Sequence, residues 1–307
     1  MMRNLAIVLL LSLIAALVVG DVGCSYEEED TAPTSAPTPT PGKYAGWRSS
    51  YYGYQYEEEP SYWVHVANQM ASILSGFMPG GIWILGGIQG TDCYLPFPKP
   101  DGNSYPGVIF DSEDKSEEYL DAFDSVGLRV WLQVEPANAN VEQLIDLVLN
   151  KYKHHPSVIG FGIDVEWLYS TDSQQGRPVT NNEAQSWLNK IESHNLNYKL
   201  FLKHWEENMM PPTYRHEDIV FINDDQDASN LDDLVSEFET WGNYFSESEV
   251  GFQYGYEADR DWWNDLSDPS GDIGNEILTK IPNTTGLYWV DFTITDIFPL
   301  TPTPTPT

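Results

Sequence analysis

Eight short β-prone runs alternating with amphipathic stretches of helical spacing predict an α/β fold, a single (β/α)8 or TIM barrel over residues 45–297. Two further observations favour it over an open doubly wound sheet. A span of about 250 residues is the usual size of such a barrel, and no G-x-G-x-x-G or Walker-type loop follows the first run.

The runs fall at 50–54, 81–86, 128–134, 158–165, 198–202, 219–222, 250–254 and 286–292. After the first, Trp63, Val66, Met70, Ile73, Leu74 and Phe77 make one apolar stripe. After the third, Val141, Leu144, Ile145, Val148 and Leu149 repeat at i, i+3, i+4, i+7 and i+8. Ala184, Trp187, Leu188 and Ile191 form a shorter stripe after the fourth, and Leu231, Leu234, Val235, Phe238 and Trp241 follow the sixth. The fifth connection contains Met209-Met210-Pro211-Pro212, which forbids a full helix there because proline lacks the amide proton and clashes with the preceding turn.

The chain carries 15 Lys+Arg against 47 Asp+Glu, a formal charge of −32. Phosphate neutralisation needs clustered basic residues, so no nucleic-acid partner is expected. Hydrophobic residues at 41% and aromatics at 13% supply a large core and exclude disorder for the body of the chain. Two cysteines cannot build a disulfide framework, and the six histidines show neither H-x-H nor H-E-x-x-H, so no metal and no other cofactor is expected.

Residues 1–23 read as a signal peptide or an uncleaved N-terminal anchor: one Arg precedes sixteen apolar or small residues. The following Asp21-Val22-Gly23-Cys24-Ser25 is similar to a lipoprotein box with Cys24 as the lipidated residue, although Asp21 stands where an aliphatic side chain is usual. Both readings put the body outside the cell or on the outer face of the cytoplasmic membrane, with membrane contact only through that anchor. Residues 24–44 are an acidic and Thr/Pro-rich spacer, and 298–307 a Thr/Pro-rich tail, leading to a further module or forming a stalk.

Barrel chemistry sits at the C-terminal strand ends, where residues two apart share a face. In the fourth run, Ile159, Phe161, Ile163, Val165 and Trp167 form an apolar face, while Gly160, Gly162, Asp164 and Glu166 form the other. Two carboxylates on an inward face mark either a polar site at the mouth or an internal salt bridge. The same rim is assigned Gln133 and Glu135 from the third run, Lys203 and His204 after the fifth, Asp224 and Asp225 after the sixth, Gln253 from the seventh, and Trp289 and Asp291 from the eighth. Acids and amides beside aromatic rings suit a carbohydrate, whose hydroxyls and ring faces they match.

The fourth run resembles that of glycoside hydrolase family 18, the chitinases and endo-β-N-acetylglucosaminidases, which carry D-x-x-D-x-D-x-E there. In this chain the eight residues run from Ile159 to Glu166, keeping the last Asp and the Glu as Asp164 and Glu166, with Ile159 and Gly162 at the first two Asp positions. Tyr51-Tyr52-Gly53-Tyr54, Gly127-Leu128-Arg129-Val130 and Trp289 are further likenesses; Phe221-Ile222-Asn223-Asp224 stands where the family has a Tyr-Asp pair. The resemblance implies Glu166 as general acid, Asp164 as its partner, and a substrate-assisted route. Gly162 at an Asp position and the absence of the sixth-strand Tyr give ground to an ordinary two-carboxylate glycosidase using Asp224, Asp225, Asp291 or Glu135 as the second group. The expectation is therefore a secreted or surface-tethered glycosidase acting on a polysaccharide or glycan, with a non-catalytic glycan-binding barrel as the alternative.

Overall fold

In the computed structural model, residues 42–170 and 176–299 are described. The leader, Cys24, nearly all of the spacer and the tail beyond residue 299 lie outside them. Eight parallel strands close a barrel: β1 (Tyr44–Ser49), β2 (Met78–Gln89), β5 (Arg129–Val134), β6 (Val158–Asp164), β7 (Lys199–Lys203), β8 (Ile219–Asn223), β9 (Glu249–Tyr254) and β10 (Thr284–Val290). Closure is direct, because Trp47 of β1 is in register with both Trp289 of β10 and Gly81 of β2. Two short strands, β3 (Asp92–Leu95) and β4 (Val108–Phe110), extend β2 beyond the barrel rim. The fold is thus the predicted (β/α)8 barrel.

Helices α1 (Pro60–Ile73), α2 (Glu117–Val126), α3 (Val141–Tyr152), α4 (Asn181–His194), α5 (Leu231–Tyr244) and α7 (Pro269–Lys280) surround it, with single-turn α6 (Arg260–Trp263) and α8 (Ile294–Ile297). Local sequence explains their limits. Thr180 and Glu183 form a reciprocal capping box that starts α4, and Gly127 ends α2 with φ 72°, a left-handed conformation that costs a glycine little. Between β7 and β8 only the 3-10 turn Glu207–Met209 forms, as the paired prolines require. Among the described residues no helix is long and apolar enough to cross a membrane.

The first strand lies earlier than the sequence placed it. Residues 50–54 are a turn rather than a strand, because Gly53 N–H bonds back to Ser50 and the Asp291 carboxylate receives the Ser50 and Tyr54 amides. A Cβ at Gly53 would stand 2.2 Å from that carboxylate, so only glycine fits. The stripe of α1 also runs past its helix: Leu74 and Phe77 are buried beyond its end at Ile73.

The barrel interior is layered. Tyr44, Ile82, Trp131, Ile159, Phe201, Val220, Ile222 and Tyr288 pack into an apolar plug, where Trp131 meets Phe201 edge-on at 5.4 Å and its Nε1 donates to Tyr288 at 3.1 Å. Gly160 and Gly162 face inward as expected; a Cβ on Gly162 would lie 2.0 Å from the Phe201 ring. Ile159, assigned to the outward face, belongs to this plug instead, because a bulge shifts the β5–β6 register between Val130 and Trp131. Polar side chains begin one layer above.

Candidate active site

Lys203, the last residue of β7, is the centre of the upper layer. Its Nζ lies 2.9 Å from Asp164 Oδ2 and 3.6 Å from Glu166 Oε2, and it also pairs with Asp224 Oδ2. Asp164 ends β6, Asp224 follows β8, and Gln133 of β5 donates to Asp164 Oδ2 at 3.3 Å. The Tyr256 hydroxyl lies 3.4 Å from Asp224 Oδ2 and 3.3 Å from Gln253 Oε1.

Glu166 reaches this group by a route that strand alternation does not describe. β6 stops at Asp164, and Val165–Trp167 turn as a 3-10 helix that swings Glu166 to Lys203. Its side chain keeps 31% exposure while Asp164 has none, so of the two only Glu166 is open to a ligand.

Beside this cluster stands a second one, built on Arg48 at the end of β1. Arg48 Nη2 donates to Tyr52 at 3.3 Å and Nη1 lies 4.0 Å from Asp291 Oδ1. Tyr52 donates to Glu135 Oε1, whose other oxygen accepts the Ile88 amide at 3.1 Å. Asp291 accepts from Ser50 N at 2.7 Å, Ser50 Oγ at 3.0 Å and Tyr54 N at 3.1 Å. The exposed ring of Tyr52 stacks on that of Phe292 at 5.9 Å, with the Arg48 guanidinium 5.5 Å from the Phe292 centroid. Together the two rings form an aromatic ledge at the mouth.

Burial raises the Asp164 carboxyl well above its ordinary range; Lys203 pulls it back, and Glu166, Asp224 and Glu135 push it up again. Burial likewise raises Glu166, opposed by Lys203 and reinforced by Asp224 and Glu135. Burial opposes the charge on Lys203, but Asp164, Asp224 and Glu166 outweigh it and hold the ammonium well above its usual value. A Schiff-base lysine needs the opposite shift, so Lys203 is no amine nucleophile at neutral pH. Burial pushes Asp291 up to about 6, against Arg48 and its hydrogen bonds.

The structure therefore brings together Asp164, Glu166, Lys203, Asp224, Gln133 and Gln253, with Glu135 and Asp291 in the neighbouring cluster. Three assigned residues behave differently. Trp289 points outward, its ring against Tyr254 and Trp263 and its Nε1 on Thr293, because Tyr288 takes the inward position on β10. Asp225 is half-buried among Asp227, Glu237 and Asp224, which with burial raise it, and makes no ion pair with Lys203. His204 is buried, stacks on Trp205 at 4.1 Å and accepts the Glu206 amide on Nδ1 at 2.9 Å; burial lowers it to about 4, so it is neutral at pH 7.

Sequence reasoning missed Arg48, Tyr52, Tyr256 and Phe292. Arg48 and Tyr52 were hidden by the misplaced first strand. Tyr256 lies beyond the end of β9 after Gly255, whose φ of 87° re-aims the chain; a Gly two residues past a strand's last inward amide was the available signal.

No protein-family model and no curated protein matches the chain. Solved structures do. A putative α-L-fucosidase from Bacteroides thetaiotaomicron is 11% identical with a TM-score of 0.52, over 84% of this chain and 91% of that one. An endocellulase from Pyrococcus horikoshii is 14% identical, TM-score 0.46, over 81% and 84%. A β-glucuronidase from Parabacteroides merdae is 13% identical, TM-score 0.40, over 60% of this chain, which spans only 26% of that protein. At these identities the fucosidase likeness supports one conclusion, that the chain has the barrel fold such enzymes use.

Proposed function

We propose that the chain is a glycoside hydrolase acting on a polysaccharide or glycan, with Glu166 as general acid and Asp164 assisting. The observation that carries this reading is the charge balance at the mouth: Asp164, Glu166 and Asp224 share the single ammonium of Lys203. More carboxylates than cations in a buried site favour retention of a proton, and Glu166 is the most exposed of the three and so the one placed to deliver it. Asp224 is the second carboxylate: Glu135 and Asp291 are held by backbone amides, and Asp225 makes no ion pair with Lys203. Buried Asp164 Oδ1, Asp224 Oδ1, Gln133 Oε1 and Gln253 Nε2 have no hydrogen-bond partner among the described residues, unspent polar capacity that lies directly beneath the reachable Glu166. The ledge of Tyr52 and Phe292 offers ring faces for stacking.

The family 18 route is disfavoured. Gly162 stands at one of that family's Asp positions, and Phe201 fills the space a side chain would need. The alternative is a non-catalytic glycan-binding barrel, favoured by Lys203 engaging all three acids as a structural ion cluster would. Turnover of a fluorogenic oligosaccharide panel separates them: activity in wild type that is lost in Glu166→Gln supports the enzyme, and binding without cleavage supports the lectin-like barrel. Export or tethering through residues 1–24 is part of the proposal; Cys24→Ser should release a lipid-anchored protein into the medium.

A further inference from the structure

A group of histidine and carboxylate side chains lies outside the barrel mouth, where the turn leading into β6 meets α2. His155 in that turn is 2% exposed, and its Nδ1 stands 2.7 Å from Asp124 Oδ2. The other oxygen of Asp124 accepts the Ser157 amide at 2.8 Å, so the carboxylate is fixed. An acceptor at Nδ1 places the proton there and leaves the lone pair on Nε2. That Nε2 is buried without a hydrogen-bond partner, and it lies 3.5 Å from Glu117 Oε1. Nε2 of His154 stands 3.0 Å from the same oxygen.

We propose that Glu117, His154 and His155 form a binding site for a zinc-class divalent cation, with Asp124 orienting His155 from behind. Each residue offers one donor atom, and the three atoms lie within 4.8 Å of one another. Donors about 2.0–2.1 Å from a tetrahedral zinc are roughly 3.3 Å apart, which the 3.0 and 3.5 Å separations bracket. Two imidazoles and one carboxylate select a borderline transition ion over magnesium or calcium, which prefer all-oxygen sites. The second Glu117 oxygen pairs with Lys151 at 2.8 Å, and Lys151 is in turn paired with Asp114 at 2.6 Å. Its charge is thus balanced, and it fixes the carboxylate with Oε1 toward the histidines. The exposed side of the site, at His154 and Glu117, would leave a fourth position to water. Because the ligands come from α2 and from the turn before β6, the ion would tie that helix to the barrel.

The competing arrangement is an imidazolium bridging Asp124 and Glu117 with no metal. The full chain, stripped with chelator, is titrated with ZnCl2 by calorimetry at pH 7.5, and cobalt(II) absorption is read in parallel. We expect one zinc per chain, d–d bands typical of four or five ligands, and a rise in thermal midpoint with zinc, since binding to the folded state alone stabilises it. His154→Ala, at an exposed ring, and Glu117→Gln should each weaken binding at least about tenfold, and Asp124→Asn by about 10–100-fold. Asp121→Asn and His216→Ala test two other carboxylate–histidine groups and should leave binding unchanged. Absence of binding in wild type overturns the proposal. So does binding that survives His154→Ala, or that Asp121→Asn or His216→Ala abolishes; circular dichroism establishes that each variant is folded.

Discussion

Lys203 Nζ sits 2.9 Å from Oδ2 of Asp164, and both side chains are buried beneath the barrel mouth. A lone pair of this kind would be a structural ion bridge. Glu166 and Asp224 draw on the same ammonium, which turns the bridge into an acid-rich cluster whose protonation is set by its neighbours.

Glu166→Gln is expected to lose at least about 10²-fold in turnover while keeping substrate binding, because the amide preserves shape but delivers no proton. In wild type the rate should fall as the pH rises through the raised Glu166 value. Glu135→Gln removes a charge that raises Glu166, so the basic limb of that variant should move to lower pH. The pH dependence of kcat/KM for wild type and Glu135→Gln checks this.

Lys203→Met leaves three carboxylates without their cation. Breaking a buried pair in this way is expected to cost about 3–5 kcal/mol at pH 7. Protonation of the acids relieves the repulsion, so the loss should shrink at pH 5. Urea unfolding at the two pH values reads both effects.

Asp291 titrates at about 6 in the native state against an ordinary value of 3.8. Between these values the native state keeps a proton that the unfolded chain has released. Asp291 therefore favours the native state most below about pH 4, and that contribution falls by about 2–3 kcal/mol as the pH rises through 6. Asp291→Asn does not titrate, so its cost relative to wild type should be largest near pH 4 and smaller at pH 7. Paired denaturation curves across this window test the sign.

Gly162→Asp restores a family 18 motif position on paper. With Phe201 2.0 Å from the new Cβ, it should instead destabilise by about 1–3 kcal/mol or more through overpacking, and it should not raise activity. Thermal unfolding together with the same glycoside panel is the measurement.

Alternation of apolar and polar residues was enough to place seven of the eight barrel strands and to put Gln133 and Asp164 on inward faces, because a strand's side-chain period is fixed at two, whereas Lys203 was expected after the fifth run and proves to be the last residue of its strand. It failed where strands end. Trp289 was paired with Asp291 by the same rule, yet β10 stops at Val290 and a 3-10 turn follows, so Asp291 returns to the mouth while Trp289 packs outward. Glu166 was expected on the strand's inward face, but a 3-10 turn after the strand brings it beside Lys203.

By itself, then, the sequence determined the barrel and its acidic rim, through local periodicity and the chemistry of strand-terminal residues. Only tertiary structure decided that Lys203 would hold three acids at once, that Arg48 and Tyr52 would face Asp291 and Glu135, and that Glu117 would meet His154 and His155. Those contacts join residues from separate strands, helices and turns. They depend on the closing angle of the barrel and on where each strand stops, neither of which a residue's own neighbours in sequence encode.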